Sequence, residues 1–514
     1  MSLLFEALRA KVAEHPDKTA LIEDDARWTY AQVSQRVIKL SDTLAKQGLR
    51  AGDRVALMFL NQKEFLLGLF AALRLGLVVV PINIQLPPED IAYVILNSGA
   101  RLVMTTARFA PLFEGKGIPL LVANQGDAPQ FPSLEAATDA GDDAYWPDFE
   151  RDANTLSFLI YTSGTTGRPK GVMLTEENIY ANTQGFREAV GFEESDVLLM
   201  ALPLFHAYGL TVCLYAFTLG ATIALSPSFN PRKIISLIAQ ERVTVLPLVP
   251  TVLSFLAENL TTLDRDLFRS LKMCITGGAS LPQSLLRKLR DEANLVVLEG
   301  YGLTEASPVV AVNRVASGNI AGSVGKPLFN VQVRIVGDDN RPFEWRAGEE
   351  TPLGEIQVKG PNVMMGYYGL EDATREAMAD NGWLRTGDLG HLDGDGNLYI
   401  SGGRKKDLII KAGENLSPLR IEEALLSHPA VAEACVFGVP DERLGEDIFA
   451  AFALRHGQSV EINALRKYCL ERLTPFMTPR YFRVYDELPK NATGKILRKR
   501  LEEENAQAAQ SSVS

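Results

Sequence analysis

The residues with the clearest chemical bias lie in one stretch, Tyr161-Thr162-Ser163-Gly164-Thr165-Thr166-Gly167-Arg168-Pro169-Lys170-Gly171. An apolar run at 156–160 precedes it and reads as a buried strand, and Thr175 beyond it reads as a helix N-cap. Gly164, Gly167 and Gly171 let the backbone bend and expose N–H groups, Thr162, Ser163, Thr165 and Thr166 add hydroxyl donors, and Lys170 adds a cation. That set suits a polyphosphate. The other reading of a Gly/Ser/Thr cluster is a polar surface turn. A kinase-type P-loop is excluded, because its lysine is followed directly by Ser or Thr, whereas Lys170 is followed by Gly171 and Val172.

Taken one at a time, the other polar candidates have ordinary structural readings. Thr304-Glu305 fits a helix N-cap with an acid in the first turn. Asp388, in Thr-Gly-Asp, fits an Asx turn. Lys495 sits in a turn-rich run near Lys490, Arg498, Lys499 and Arg500 and fits a solvated charge. His206 is a lone histidine after a strand-like run, and Gly278 and Gly300 fit tight strand–helix turns.

The elements that must position these residues follow from pattern and length. At 514 residues the chain exceeds one ordinary domain, and an apolar content of 46% supports a full core. A net charge of −11 argues against a nucleic-acid coat. Cys213, Cys274, Cys435 and Cys469 lack ligand spacing and read as reduced core thiols of a cytoplasmic protein. The first 13 residues form an amphipathic helix pattern with scattered charge, unlike a signal peptide. The longest apolar region, 65–84, is broken by Arg74 and Pro81, so membrane contact is peripheral at most. Helix-like stretches at 30–47, 62–75 and 88–97 alternate with strands at 54–60, 77–82 and 102–105. A second set of strands near 197–201, 222–225, 243–249, 273–276 and 296–298 is interleaved with helices near 234–241 and 285–292. The expected fold is therefore α/β, with two doubly wound sheets, a small β-rich subdomain over about 322–398, and a compact α+β unit from Arg404.

Read in order, the motifs resemble the adenylate-forming acyl-CoA synthetases, the superfamily that includes firefly luciferase and the adenylation domains of nonribosomal peptide synthetases. The resemblance spans the chain: Trp28-Thr29-Tyr30, Pro81-Ile82-Asn83, the glycine loop, Leu202-Pro203-Leu204-Phe205-His206 and Gly277-Gly278-Ala279 come first. Gly300-Tyr301-Gly302-Leu303-Thr304-Glu305, Arg385-Thr386-Gly387-Asp388, Gly403-Arg404-Lys405-Lys406-Asp407, Gly413-Glu414-Asn415 and Thr493-Gly494-Lys495 follow. The family divides into an adenylation domain, here 1–403, and a mobile C-terminal domain, here 404–503, with a disordered tail expected over 504–514.

In that family a carboxylate attacks the α-phosphate of MgATP to give acyl-AMP and pyrophosphate, and a thiol then takes the acyl group. Both steps pass through anionic states, which need placed cations and N–H donors. The resemblance implies that Thr162, Ser163, Gly164, Thr165, Thr166, Gly167 and Lys170 hold the β- and γ-phosphates, Thr304 contacts phosphate, and Glu305 ligates Mg²⁺. It further implies that Asp388 and Arg404 hold the ribose and that Gly278, Ala279, Gly300, Tyr301 and Gly302 form the adenine slot. Lys495 would bridge the substrate carboxylate and the α-phosphate. His206 would gate the junction of acyl and thiol tunnels, Lys406 would be the hinge, and Gly413 would line the CoA tunnel. One departure stands out: Ser401-Gly402-Gly403-Arg404 is a residue longer than expected, which suggests a looser linker.

Phe205, Tyr208, Gly209, Val249 and Leu303, the expected acyl pocket, carry no charge that would anchor an amino acid's ammonium. A medium- to long-chain fatty acid is the first expectation, with aryl or branched acids as the alternative. CoA is the expected acceptor. A free-standing enzyme that loads a carrier protein and a non-catalytic binding protein are the competing classes, and homodimerisation is left open.

Overall fold

The alternation of strands and helices resolves, in the computed structural model, into two large sheets followed by two small ones. The structure describes residues 2–126, 128–144, 152, 154–162, 168–227, 230–250, 253, 256–257, 269–278, 281, 283–293, 295–404, 407–412, 414–441, 443–491 and 494–511.

The first sheet has seven strands in the order Gly366–Tyr367, Lys170–Thr175, Leu156–Thr162, Val78–Pro81, Arg54–Met58, Ala100–Thr106 and Leu120–Ala123. The second has nine, in the order Lys326–Pro327, Val309–Val312, Val296–Gly302, Met273–Thr276, Val245–Leu248, Val197–Met200, Thr222–Leu225, Thr19–Glu23 and Ala26–Thr29. The interiors of both sheets are parallel, as βαβ alternation requires. One strand crosses between the sets in a way that periodicity does not reveal. Thr19–Glu23 precedes the first βαβ run in sequence but pairs with Thr222–Leu225, Leu21 opposite Ile223, in the second sheet.

Between the sheets lie helices that are buried nearly all round. The helix Lys63–Arg74 and the helix Ala207–Leu219 meet through Phe70 and Phe217, whose ring centroids are 5.2 Å apart, edge to face. Both read as apolar on every face because each packs on two layers. Capping fixes the entry to their neighbours: Thr29 and Thr175 each cap a helix in a reciprocal capping box, with Gln32 and Asn178.

The third sheet joins Gln332–Val336, Gly354–Lys359, Trp383–Leu392 and Met378–Ala379, with Leu398–Arg404 along Trp383–Leu392. The fourth joins Glu414–Leu416, Ile409–Lys411, Gly445–Leu454 and Val431–Asp441, with Tyr481–Tyr485 parallel to Gly445–Leu454. The last helix, Arg498–Ser511, is anchored by the fully buried Leu501 and by Asn505, which donates to Tyr485 Oη at 2.8 Å and accepts from Arg483. All four cysteines are buried and unpaired. Among the described residues no helix is long and apolar enough to cross a membrane.

Candidate active site

The glycine stretch is a hairpin, not a strand-to-helix loop: Leu156–Thr162 turns back as Lys170–Thr175, with Thr162 opposite Lys170. Ser163, Gly164, Thr165, Thr166 and Gly167 lie outside the described residues. The hairpin edge is then covered by the two-residue strand Gly366–Tyr367, with Tyr367 opposite Val172 and the Tyr368 N–H donating to the Gly171 carbonyl at 2.8 Å. That pairing brings the Tyr367 ring centroid to 5.1 Å from Lys170 Nζ, and the Tyr367 hydroxyl donates to Glu305 Oε1 at 2.8 Å. One tyrosine thus joins the loop cation to the carboxylate. Sequence reasoning missed Tyr367, whose only signal is an aromatic pair between Gly366 and Gly369.

Glu305 is in a single 3₁₀ turn, Thr304–Ala306, so the helix-capping alternative for Thr304 fails; Leu303 holds the cap position and makes no side-chain cap bond. The turn is clasped from outside. Met364 N–H donates to the Glu305 carbonyl at 2.9 Å, Asn362 Nδ2 to that of Ala306 at 2.9 Å, and Asn182 Nδ2 to that of Val309 at 2.7 Å. Gly302 is needed there because a Cβ would stand 2.1 Å from the Pro308 carbonyl oxygen. The second Glu305 oxygen has no hydrogen bond among the described residues, so the carboxylate fits a hard cation. Among the described residues no three His, Cys, Asp or Glu side chains cluster around a metal position.

The third part sits at the carboxyl ends of adjacent parallel strands, where Thr276 is opposite Glu299 and a Cβ on Gly277 would lie 3.1 Å from the Gly300 carbonyl. Gly278 follows with φ +83°; Ala279 lies outside the described residues. Tyr301, next along, donates its hydroxyl to Asp388 Oδ2 at 2.5 Å. Asp388 is itself set by Gly387 at φ +72° and by its N–H donating to Thr386 Oγ1 at 3.0 Å.

Asp388 faces Arg404 across the strand pair, and this pairing revises the expectation of a looser linker. Leu389 is opposite Gly403 while Gly390 is opposite Ile400, so Ser401 and Gly402 are taken up as a bulge inside a paired strand. Removing Gly402 alters the bulge that brings Arg404 opposite Asp388. We therefore expect the Gly402 deletion to slow pyrophosphate release and thioester formation alike, about tenfold or more if a charge-assisted contact is lost. Loss confined to thioester formation would restore the loose-linker view.

The strand Val197–Met200 delivers the next group. Asn61, buried, holds the loop after it by donating to the Leu202 carbonyl at 2.8 Å and accepting from Leu204 N–H at 2.9 Å. His206 then occupies the N-cap position of Ala207–Leu219, its ring 4.8 Å from that of Phe205. Burial pushes the imidazole down to about 4, and its Nε2 is enclosed with no partner among the described residues. The ring is therefore neutral at physiological pH. Tyr208 donates to the Ile275 carbonyl at 3.1 Å, and Phe205 and Val249 are buried, with Leu303 half-buried. Gly209 turns the place of its absent Cβ to the Pro203 carbonyl oxygen, 2.5 Å away, so its smallness lets the helix pack on that loop.

Sequence comparison matches the AMP-binding enzyme family over residues 8–368 and the AMP-binding enzyme C-terminal domain over 420–495. The chain is an AMP-binding enzyme. A long-chain-fatty-acid–CoA ligase, FadD13, of Mycobacterium tuberculosis is 34% identical over 511 residues, 97% of each chain. A feruloyl-CoA synthase of an Amycolatopsis species is 36% identical over 492 residues, 95% of this chain and 96% of that one. ATP-bound MatB from Rhodopseudomonas palustris superposes with a TM-score of 0.90 at 29% identity, covering 99% of each chain. This AMP-binding enzyme is accordingly an acid–thiol ligase of the AMP-forming acyl-CoA synthetase type.

In this AMP-binding enzyme Lys495 is exposed on a turn closed by Asn491, which accepts from Lys495 N–H through Oδ1 at 2.9 Å and donates its own N–H to the Lys495 carbonyl at 2.8 Å. Its cationic neighbours are tied to carboxylates of the same unit: Lys490 to Glu433 and Glu487, Arg498 to Glu422, Arg500 to Glu504. Lys406 and Gly413 lie outside the described residues.

Sequence reasoning also missed Glu299, two residues before Tyr301. Its side chain is buried, burial pushes the carboxyl up to about 7, the Leu281 N–H at 3.0 Å opposes the shift, and Glu423 adds to it. A carboxyl raised in the folded state stabilises fully below its unfolded value near 4.5 and loses that contribution as pH rises through 7. We expect Glu299→Gln, which keeps the acceptor for Leu281, to melt progressively higher than the parent as pH rises from 4.5 to 8. Parallel melting curves across that range would refute the assignment.

Proposed function

We propose that the enzyme activates a carboxylic acid with an uncharged apolar tail, a medium- to long-chain fatty acid first, to acyl-AMP and then passes the acyl group to CoA. The observation that carries the adenylation chemistry is Tyr367, whose ring centroid lies 5.1 Å from Lys170 Nζ and whose hydroxyl donates to Glu305 Oε1 at 2.8 Å. Lys170 and the loop N–H groups hold the departing pyrophosphate, Asp388 takes the ribose hydroxyls, and Lys495 spans the carboxylate and the α-phosphate. Bound at Glu305, Mg²⁺ would neutralise the phosphate oxygens. The C-terminal unit then swings about Lys406 so that the Gly413 hairpin meets the thiol. The apolar tail is supported by Phe205, Val249 and Leu303, none charged, and by Tyr208, whose hydroxyl is already engaged by Ile275.

A second reading, an aryl acid, is favoured by that same tethered tyrosine, which presents a fixed flat wall. The test is pyrophosphate release against a panel of fatty, branched and aryl acids, with and without CoA and with an acyl carrier protein. Turnover with decanoate or longer acids and CoA supports the first reading, and turnover with cinnamate- or benzoate-type acids alone supports the second. Release with no acid would overturn both.

A further inference from the structure

The strands Ile409–Lys411 and Glu414–Leu416 pair antiparallel, Lys411 opposite Glu414, on either side of the residue assigned above to the thiol passage. Ala412, next to Lys411, has φ +49°, a left-handed conformation that a Cβ disfavours and that persists only where its surroundings impose it. Its N–H donates to the Leu444 carbonyl at 2.7 Å.

The residue before it supplies the rest of the constraint. Lys411 is 7% exposed, its ammonium 2.7 Å from Asp447 Oδ1 and 5.2 Å from the centroid of Phe476. Asp447, 2% exposed, is held in turn by Arg480, whose Nη1 lies 3.4 Å from Asp447 Oδ2 and 3.0 Å from Asp441 Oδ2. Lys411 pairs through its backbone with Gly445, two residues before Asp447 and so on the same face of that strand. The ion pair therefore closes a side-chain clasp over a join the backbone already makes.

A buried ion pair is a weak source of net stability, because desolvation offsets the attraction. Its effect here is on geometry. We propose that the Lys411–Asp447 clasp is a positioning device for acyl transfer to the thiol: it pins Lys411 so that Ala412 keeps the left-handed conformation that the transfer step requires. The proposal rests on the two-step reading above. Lys411 touches no reacting atom; it acts through Ala412.

The test compares the full-length parent with Lys411→Met, Ala412→Gly and the double variant. Acid-dependent pyrophosphate release without CoA reports the first step, and CoA-dependent consumption of supplied acyl-AMP reports the second. Lys411→Met should leave pyrophosphate release within about twofold and lower kcat of acyl-AMP consumption about tenfold, the loss expected when the competent conformation becomes a minor state. Adding Ala412→Gly should recover at least half of that loss, because glycine takes positive φ without compulsion. Equal loss in both steps, no loss in the second, or no recovery by glycine would each overturn the proposal. Should Lys411→Met fold poorly because Asp447 keeps only Arg480 as a cationic partner, Lys411→Met with Asp447→Asn leaves neither partner of the buried pair charged and is read the same way. A parent that releases no pyrophosphate with any acid defeats the proposed function itself, an outcome distinct from any failure of the clasp.

Discussion

Lys495→Ala is expected to lower acid-dependent pyrophosphate release by about a hundredfold or more, while consumption of supplied acyl-AMP with CoA stays within about threefold, because a cation aimed at developing negative charge acts only on the step in which that charge forms. The turn supports so selective an effect. Lys495 is exposed, so its removal opens no cavity, and the backbone bonds to Asn491 that shape the turn do not use its ammonium. The neighbouring cations give the control. Arg498, the first residue of the last helix, donates to Glu422 Oε1 at 2.8 Å and so ties that helix to the rest of the C-terminal unit. Arg498→Ala should lower the melting temperature and both activities together. If Lys495→Ala damages both steps equally, the lysine serves both or serves the fold, and the two-conformation scheme loses its support.

Asp388→Ala is expected to produce the second large effect, a fall of about a hundredfold in kcat/KM for ATP, the scale of losing two hydrogen bonds to a charged acceptor. Tyr301→Phe, which removes the donor to Asp388 Oδ2 and keeps the ring, should cost about tenfold at most, since one hydrogen bond to a charged group is lost and the stacking face remains. Titration of ATP with the acid saturating measures both. Equal losses in the two variants would mean that the tyrosine–aspartate bond, and not contact with the nucleotide, is what matters at this position.

The framework around this site was legible in the sequence wherever it is local in the chain. The capping by Thr175 and the strands Thr222–Leu225 and Met273–Thr276 were readable from runs of fewer than a dozen residues. What was not legible is whatever depends on one segment reaching another. The pairing of Thr19–Glu23 with Thr222–Leu225 spans two hundred residues of chain, and no local period encodes it. Tyr367 reads as a turn aromatic until Gly366–Tyr367 is seen to extend the first sheet. Asn61, Asn182 and Asn362, which hold the loops bearing His206 and Glu305, look like any polar residue until their carbonyl partners are known. The bulge at Ser401-Gly402 was visible as an extra residue, but its accommodation in a paired strand depended on the register of Trp383–Leu392. Glu299 and Lys411 became visible only through burial, which a sequence of alternating character hides.

The strand that carries Tyr367 has a consequence for how the enzyme is made. The hairpin bearing Lys170 is complete by residue 175, and Glu305 follows 130 positions later, but the piece that joins them is nearly two hundred residues downstream of the hairpin. A chain still on the ribosome can therefore assemble most of both large sheets before the strand Gly366–Tyr367 covers the edge of the Lys170 hairpin. Until Tyr367 emerges, the growing polypeptide lacks the side chain that touches both the Lys170 ammonium and the Glu305 carboxylate, so that link is made late in synthesis, after most of the scaffold around it is in place.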